Sequence, residues 1–417
     1  MIGIAAFASI YGAGLTYYGD GPIRSDGLGY YVYLPAALLH HEVSMERTAD
    51  RSFGGDPTEI PGVRRTPPHD RPLNQFGIGE AVMIAPFFGV GHLLALIAGA
   101  PRDGFSWPYQ ATAAAAGFVY ALFGLVVLAS VLRRWFGRDT VVLTLLATTF
   151  GTNLFHYATY DSLFSHAFSF ALVAVVMRLT IAVADLPRAR PTAALAASVG
   201  LLMLVRPTNL DILAFCALYG VCHVRDLRRR LYALARHIDL VAIGCCVFLL
   251  VAIPQVAYWH AITGNLIANG YVDEHLDLLR PHVFEVLFSV RKGLFFWTPL
   301  LLLAVAGVPF LRRLAPPLFV PTIAYLCVHT WIVASWSTWW YGGSFGMRPF
   351  VDALPVLAVA FAALLSAARS VRARRLVLVG AAATSLLALH AMIAYWTKAL
   401  PLDETTFTTY LRSFWDL

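Results

Sequence analysis

Apolar residues in this chain come in long unbroken runs and not in the alternation of a strand. Val119–Leu132, Leu240–Ile253 and Leu376–Ile393 are examples. With their flanking residues, each approaches the roughly 20 residues that an α-helix needs to cross a bilayer. After a first helix through Ile2–Leu15 to about Tyr18, the pattern predicts helices near 109–132, 140–158, 163–183, 191–205, 209–223, 238–258, 296–311, 317–334, 350–367 and 376–395. The expected fold class is all-α: a polytopic transmembrane helix bundle of about eleven spans, residues 1–417 forming one domain.

Polar residues collect between the runs. A long first loop, about 19–108, has a dense front part, Asp20–His41, and a part rich in glycine, proline and charge, Ser44–Asn74. The latter predicts a mobile segment with no core of its own. The loop is expected to carry juxtamembrane helices. Further loops fall at about 158–163, 259–296 and 335–349. The second of these predicts some helix; the last is short and aromatic. No internal repeat of the inverted-transporter kind is evident.

Basic clusters orient the bundle. Arg133/Arg134/Arg138, Arg188/Arg190, Arg225/Arg228/Arg229/Arg230/Arg236, Arg312/Arg313 and Arg369/Arg372/Arg374/Arg375 all fall in the alternate set of links. Basic residues are retained on the cytoplasmic side. The N-terminus is therefore expected inside, the C-terminus outside, and the other loops outside. Gly77–Ala98 is apolar enough to span, but a span there would put five basic clusters on the wrong side. It is expected to be re-entrant or surface-lying, with Glu80 and His92 at an interface or cavity. Ile2–Leu15 has neither a basic segment before it nor a small-residue cleavage site after it, and predicts a membrane helix, not a signal peptide.

Composition agrees. Charged residues make up 13%, hydrophobic residues 59%, and mean hydropathy is +0.66. A soluble domain carries about a quarter charged residues. The net charge of +7 resides in the loop clusters and predicts no nucleic-acid partner. Cys216, Cys222, Cys245, Cys246 and Cys327 lie in or beside apolar runs, without the spacing of a metal site or a disulfide framework.

Four outward segments carry candidate chemistry. Asp26 follows the first helix and leads into Tyr30, Tyr31 and Tyr33. Asp161 sits in Thr159–His166, on the same side by this topology, with His166 where the next helix starts. Either acid has an ordinary alternative: Asp26 as a loop residue beside an aromatic belt, Asp161 as a helix cap. Arg206, in Val205-Arg-Pro-Thr-Asn209, and Arg348, in the aromatic link Trp339–Pro349, lie on the side where basic residues are not expected. Arginine suits phosphate, with a planar fork of donors and a permanent charge; the alternative is snorkelling to headgroups. Arg291 and Lys292 are weaker candidates for the same task. Trp340 and Tyr341, with Trp339, offer stacking surface. Asp26 and Asp161 could hold a divalent cation such as Mg, Mn or Ca with waters, though nothing requires one. His40, His41, His69, His156 and His166 show no metal-ligand spacing on one helix.

Together these pieces resemble the GT-C glycosyltransferases, closest to the branch of protein O-mannosyltransferases and lipid A aminoarabinose transferases. The resemblance rests on Asp26 and Tyr30 in the first loop, Arg71-Pro72-Leu73-Asn74 as a proline-containing entry to a surface helix, Asp161 in the second loop and Arg206 after the fifth span. It covers roughly residues 1–225. One departure is Gly27, which stands where the branch usually has a second acid. The resemblance implies an inverting transfer of a sugar from a polyprenyl-phosphate donor to a glycan, lipid or protein acceptor, on the extracytoplasmic side of a bacterial inner membrane. Asp26 would be the general base, and Arg206 and Arg348 would hold the lipid phosphate. A transporter or flippase for a lipid-linked or anionic solute would use the same acids and arginines as a binding site. A non-catalytic scaffold in envelope assembly is a third reading.

Overall fold

The computed structural model describes residues 21–66 and 70–416. The first expected helix, over Ile2–Leu15, lies outside the described residues. Two short helices, α1 (Ser25–Tyr31) and α2 (Tyr33–Leu38), follow end to end. Then come a short helix at Glu46–Ser52 and an antiparallel hairpin, β1 (Val63–Thr66) with β2 (Arg71–Asn74), in which Val63 faces Asn74. All else that is regular is helical: α3 (Gly79–Ala98), α4 (Trp107–Leu132), α5 (Arg138–Phe150), α6 (Leu154–Thr159), α7 (His166–Asp185), α8 (Ala189–Val205), α9 (Ile212–Leu218), α10 (Val224–Arg236), α11 (Ile238–Thr263), α12 (Leu300–Leu314), α13 (Pro316–Ala334), α14 (Leu354–Ala367) and α15 (Val371–Trp396), with short helices in the intervening loops. The fold is an all-α polytopic membrane bundle.

Six of these helices are long and apolar enough to cross a membrane: α3, α4, α7, α11, α13 and α15. Their outer faces stay apolar. On α11, Leu249, Leu250 and Ile253 all point away from the protein. A helix that is hydrophobic all round belongs inside a core or in lipid. Three expected helices are broken. The one over 140–158 is interrupted at Gly151, which lies against Ser385 and Leu300 with no room for a side chain. The one over 209–223 opens with a 3-10 turn at Pro207–Asp211 and ends at Leu218. The one over 296–311 restarts after Pro299, whose ring cannot continue a preceding helix.

The packing is polarised. Helices α4 and α7 run parallel, with Gly117 against the Ser162 carbonyl, Gly124 against Phe170, and Arg134 paired with Asp185 at the far end. Small residues let the backbones approach this closely. Asp26, Asp161, Arg206 and Arg348 collect at the opposite end. Helix α3 packs antiparallel on the first half of α4 only, through Met83 with Tyr120 and His92 with Tyr109. The loop after it returns to α2, where Tyr31 donates to the Gly104 carbonyl. Its far end therefore meets the first loop and not the Arg134 end.

The segment Ser44–Asn74 was expected to lack a core and be mobile, and here the structure differs. Met45, Ala49, Ile60, Val63 and Leu73 are all buried against the bundle. The Asn74 side chain donates to the Gly29 carbonyl at 2.7 Å, and its backbone N–H to the Tyr258 hydroxyl at 2.8 Å. A few well-spaced apolar residues suffice when a large apolar surface already exists to receive them.

Single cysteines placed at the exposed positions Ser52, Ser370 and Asp416, in a background without the native cysteines, should divide by side. An impermeant thiol reagent applied to intact cells should label 52 and 416 and spare 370. Labelling at 370 would reverse the arrangement.

Candidate functional site

Asp26 lies in the first turn of α1, after Ser25, whose φ of 49° is left-handed. Such backbone strain in a residue other than glycine is characteristic of functional turns. The Asp26 carboxylate accepts from the Arg348 guanidinium at 2.6 Å, across 322 residues of sequence. Arg348 is held between the glycine-rich link 342–346 and Pro349, at the start of a 3-10 turn. Its guanidinium stacks over Phe164 at 5.4 Å.

Asp161 sits beside this pair in its own set. Arg24 donates to one carboxylate oxygen at 3.2 Å and His156 Nε2 to the other at 2.9 Å. Trp396 Nε1–H points at His156 Nδ1 at 2.9 Å. An indole can only donate, so Nδ1 carries the lone pair and Nε2 the proton. Burial alone would raise the Asp161 pKa. The hydrogen bond from His156 and the charge of Arg24 outweigh it, and the pKa lies below the ordinary aspartate value. The Asp161 side chain is only 10% exposed, against 28% for Asp26, so Asp26 is the carboxylate a substrate can reach.

Behind these lies a third group. His166 Nδ1 meets Asp352 at 3.0 Å, and Arg206 approaches His166 Nε2 at 3.4 Å. Arg206 Nε and Asp352 Oδ2 face each other at 3.5 Å, and neither makes a hydrogen bond. Burial works to lower the pKa values of Arg206 and Arg348. Asp352 for the first and Asp26 for the second more than offset it, so both are raised. The two guanidinium groups are near enough to repel each other. Glu80, fully buried at the start of α3, adds two carboxylate oxygens without partners in the field of Asp26 and Arg206.

Tyr30 donates to Ser165 at 3.3 Å and, like Tyr341, feels the charge of Arg206. The Tyr341 hydroxyl donates to the Val333 carbonyl at 3.0 Å. Trp340 lies elsewhere. It stacks under Arg291 at 4.0 Å, and Arg291 is clamped to Asp403. Lys292 is fully buried, donating to the carbonyls of Ser344 and Leu402. Burial pulls its pKa down to about 7, against the opposing pull of Asp403. Lys292 thus ties the Arg348 loop to the C-terminal segment.

Asp26 and Asp161 each face a guanidinium, and among the described residues no three His, Cys, Asp or Glu side chains converge. Gly27, at the position where a second acid was expected, has no space for one. A Cβ there would lie 2.8 Å from Leu163 Cβ and 2.9 Å from its carbonyl oxygen.

Sequence reasoning passed over Asp352, His156 and Arg24 and gave Glu80 no role in the site. Asp352 carried a signal: an acid four residues after Arg348, opening an apolar helix, is an intramembrane charge and functional by default.

Asp161→Asn should cost about 1–3 kcal/mol of stability, the usual penalty for unpairing a buried polar group. The folded pKa of Asp161 is below its unfolded one. Its contribution is therefore complete above about pH 4, the unfolded aspartate value, and is lost as pH falls through the folded pKa. The melting-temperature gap between wild type and Asp161→Asn should be constant from about pH 5 to 8 and close below that. A gap that widens on acidification would mean the carboxylate is not held ionised.

No family model matches the sequence, and no curated protein does. Among solved structures, the chain is similar to ArnT from Cupriavidus metallidurans in the apo state, at 14% identity and a TM-score of 0.46, over 95% of this chain and 75% of that one. The likeness carries no residue role across.

Proposed function

We propose that this protein is a membrane glycosyltransferase of the GT-C type. It takes a sugar from a polyprenyl-phosphate donor and passes it to a hydroxyl of an envelope glycan, lipid or protein, at the end of the bundle away from the arginine clusters and outside the cytoplasm. The observation that carries this reading is one reachable carboxylate, Asp26, paired with Arg348 at a membrane boundary, with a second arginine, Arg206, near enough to repel Arg348. Glu80, Arg206, Arg348 and Asp352 each keep a buried polar atom without a hydrogen-bond partner.

The chemistry follows from those groups. The acceptor oxygen attacks the anomeric carbon as the bond from that carbon to the phosphate oxygen breaks. Asp26 takes the acceptor proton. The departing lipid phosphate leaves with the electron pair and is held by Arg348 and Arg206. One displacement inverts the anomeric centre. Without donor, the Arg348 guanidinium occupies the Asp26 carboxylate. A phosphate that takes over the guanidinium frees the carboxylate, so the base is released when the donor is in place. Arg24 and His156 hold Asp161 ionised at the edge of the site, where it orients the acceptor.

Asp26→Asn keeps the shape and the hydrogen bond from Arg348 but removes the base. With a polyprenyl-phosphate sugar as donor, its turnover should fall about a hundredfold or more while donor binding persists. Undiminished transfer would remove Asp26 from the reaction. Arg348→Ala should weaken donor binding by about 1.5–3 kcal/mol, the value of a charged hydrogen bond, measured by titration with the unhydrolysed donor. If purified wild type transfers no sugar from any such donor yet binds it, the site is a transporter's.

A further inference from the structure

At the end of the bundle opposite Asp26, α7 to α11 line an open cavity of about 1060 Å³. Small-molecule sites run from about 300 to 1,000 Å³, so this one is large. Its walls are apolar, with Leu195 and Val199 of α8 across from Val241 and Phe248 of α11. Its mouth carries Arg134, Arg229, Arg230 and His237.

These mouth residues are not equivalent. Arg134 is bound to Asp185 at 2.8 and 2.9 Å. Arg230 donates to the carbonyls of Cys216 and Tyr219, both at 2.6 Å, and so closes the end of α9. Arg229 is different. Its side chain is 79% exposed, and the nearest carboxylate oxygen, on Asp226, is 3.7 Å away. Asp226 instead accepts from the backbone N–H groups of Cys222 and His223. Helix α10 carries five arginines against this one acid, while Leu227, Leu231 and Leu234 are exposed along it. A helix of that kind lies in the plane of a membrane surface, drawn to anionic lipid.

A water-soluble anion would meet apolar walls in this cavity, and a neutral lipid would leave Arg229 with no counter-charge closer than Asp226 at 3.7 Å. We propose that the cavity binds an anionic glycerophospholipid from the leaflet on the arginine-rich side, its phosphate at Arg229 and an acyl chain along the apolar walls that α8 and α11 present to the cavity. The lipid anchors α10 to the bundle. This site is distinct from the Asp26 cluster and holds whether or not the transfer reading does.

The test uses the full-length protein in nanodiscs of dioleoylphosphatidylcholine, with phosphatidylglycerol bearing a photoreactive acyl chain as probe. Wild type should cross-link within 192–199 or 241–249, and unlabelled phosphatidylglycerol should compete about tenfold or better over phosphatidylcholine, the effect of a single charged contact. Ala196→Trp fills the cavity and should abolish the cross-link. Arg229→Glu changes only an exposed side chain and should abolish the preference for phosphatidylglycerol while the protein stays folded; it decides the matter should Ala196→Trp fail to fold. Equal competition by the two lipids, cross-links confined to other helices, or undiminished labelling of folded Ala196→Trp would each overturn the proposal. So would finding another segment of this chain cross-linked into the cavity.

Discussion

The ion pair between Asp26 and Arg348 fastens the front of the chain to its last third, and the outward end of the molecule is organised around it. A charge at the edge of a bilayer cannot be left alone, because unpaired charge in a poorly polarisable setting is costly. Around the pair, each charge finds its partner from far along the chain: Arg24 with Asp161, His166 with Asp352, His329 with Asp211. The same requirement makes the exceptions informative. They are Glu80 and parts of Arg206, Arg348 and Asp352, whose buried polar atoms make no hydrogen bond.

Close backbone contact is the second device. Gly27 against Leu163 joins the Asp26 segment to the Asp161 segment, and Gly117 against Ser162 seats that same loop on α4. Neither contact survives a side chain at the glycine. The two acids are thereby held in adjacent loops of a rigid bundle, where strands and helices position groups more closely than free loops do. Lys292 performs a similar service from the other side, holding the Ser344 and Leu402 carbonyls together behind Arg348.

The two ends of the molecule treat arginine in opposite ways. On the clustered side, arginines are numerous and exposed or bound to carbonyls at helix ends, as Arg230 is. In the Asp26 cluster, Arg24, Arg348 and Arg206 each face a carboxylate. The first arrangement suits a surface of anionic headgroups, the second a defined ligand. This contrast underlies both the proposed transfer site and the proposed lipid site.

Much of the architecture was legible without coordinates. Apolar runs of bilayer length impose helices because backbone groups must be satisfied internally in lipid, and the arginine clusters mark one end because charge is retained on one side. Asp26, Arg206 and Arg348 stood out by being polar where the chain is otherwise apolar. Which carboxylate meets which guanidinium was not legible, since a pair 322 residues apart leaves no trace in local pattern. Asp352 was hidden in an apolar run, Trp340 turned out to face Arg291, and Ser44–Asn74 took order from a surface that other segments supply. Local sequence determined the elements and which end of the bundle carries the arginine clusters, because those depend on hydropathy and charge alone. Tertiary structure decided the partners, because a charge's partner is whatever the packed bundle brings within reach.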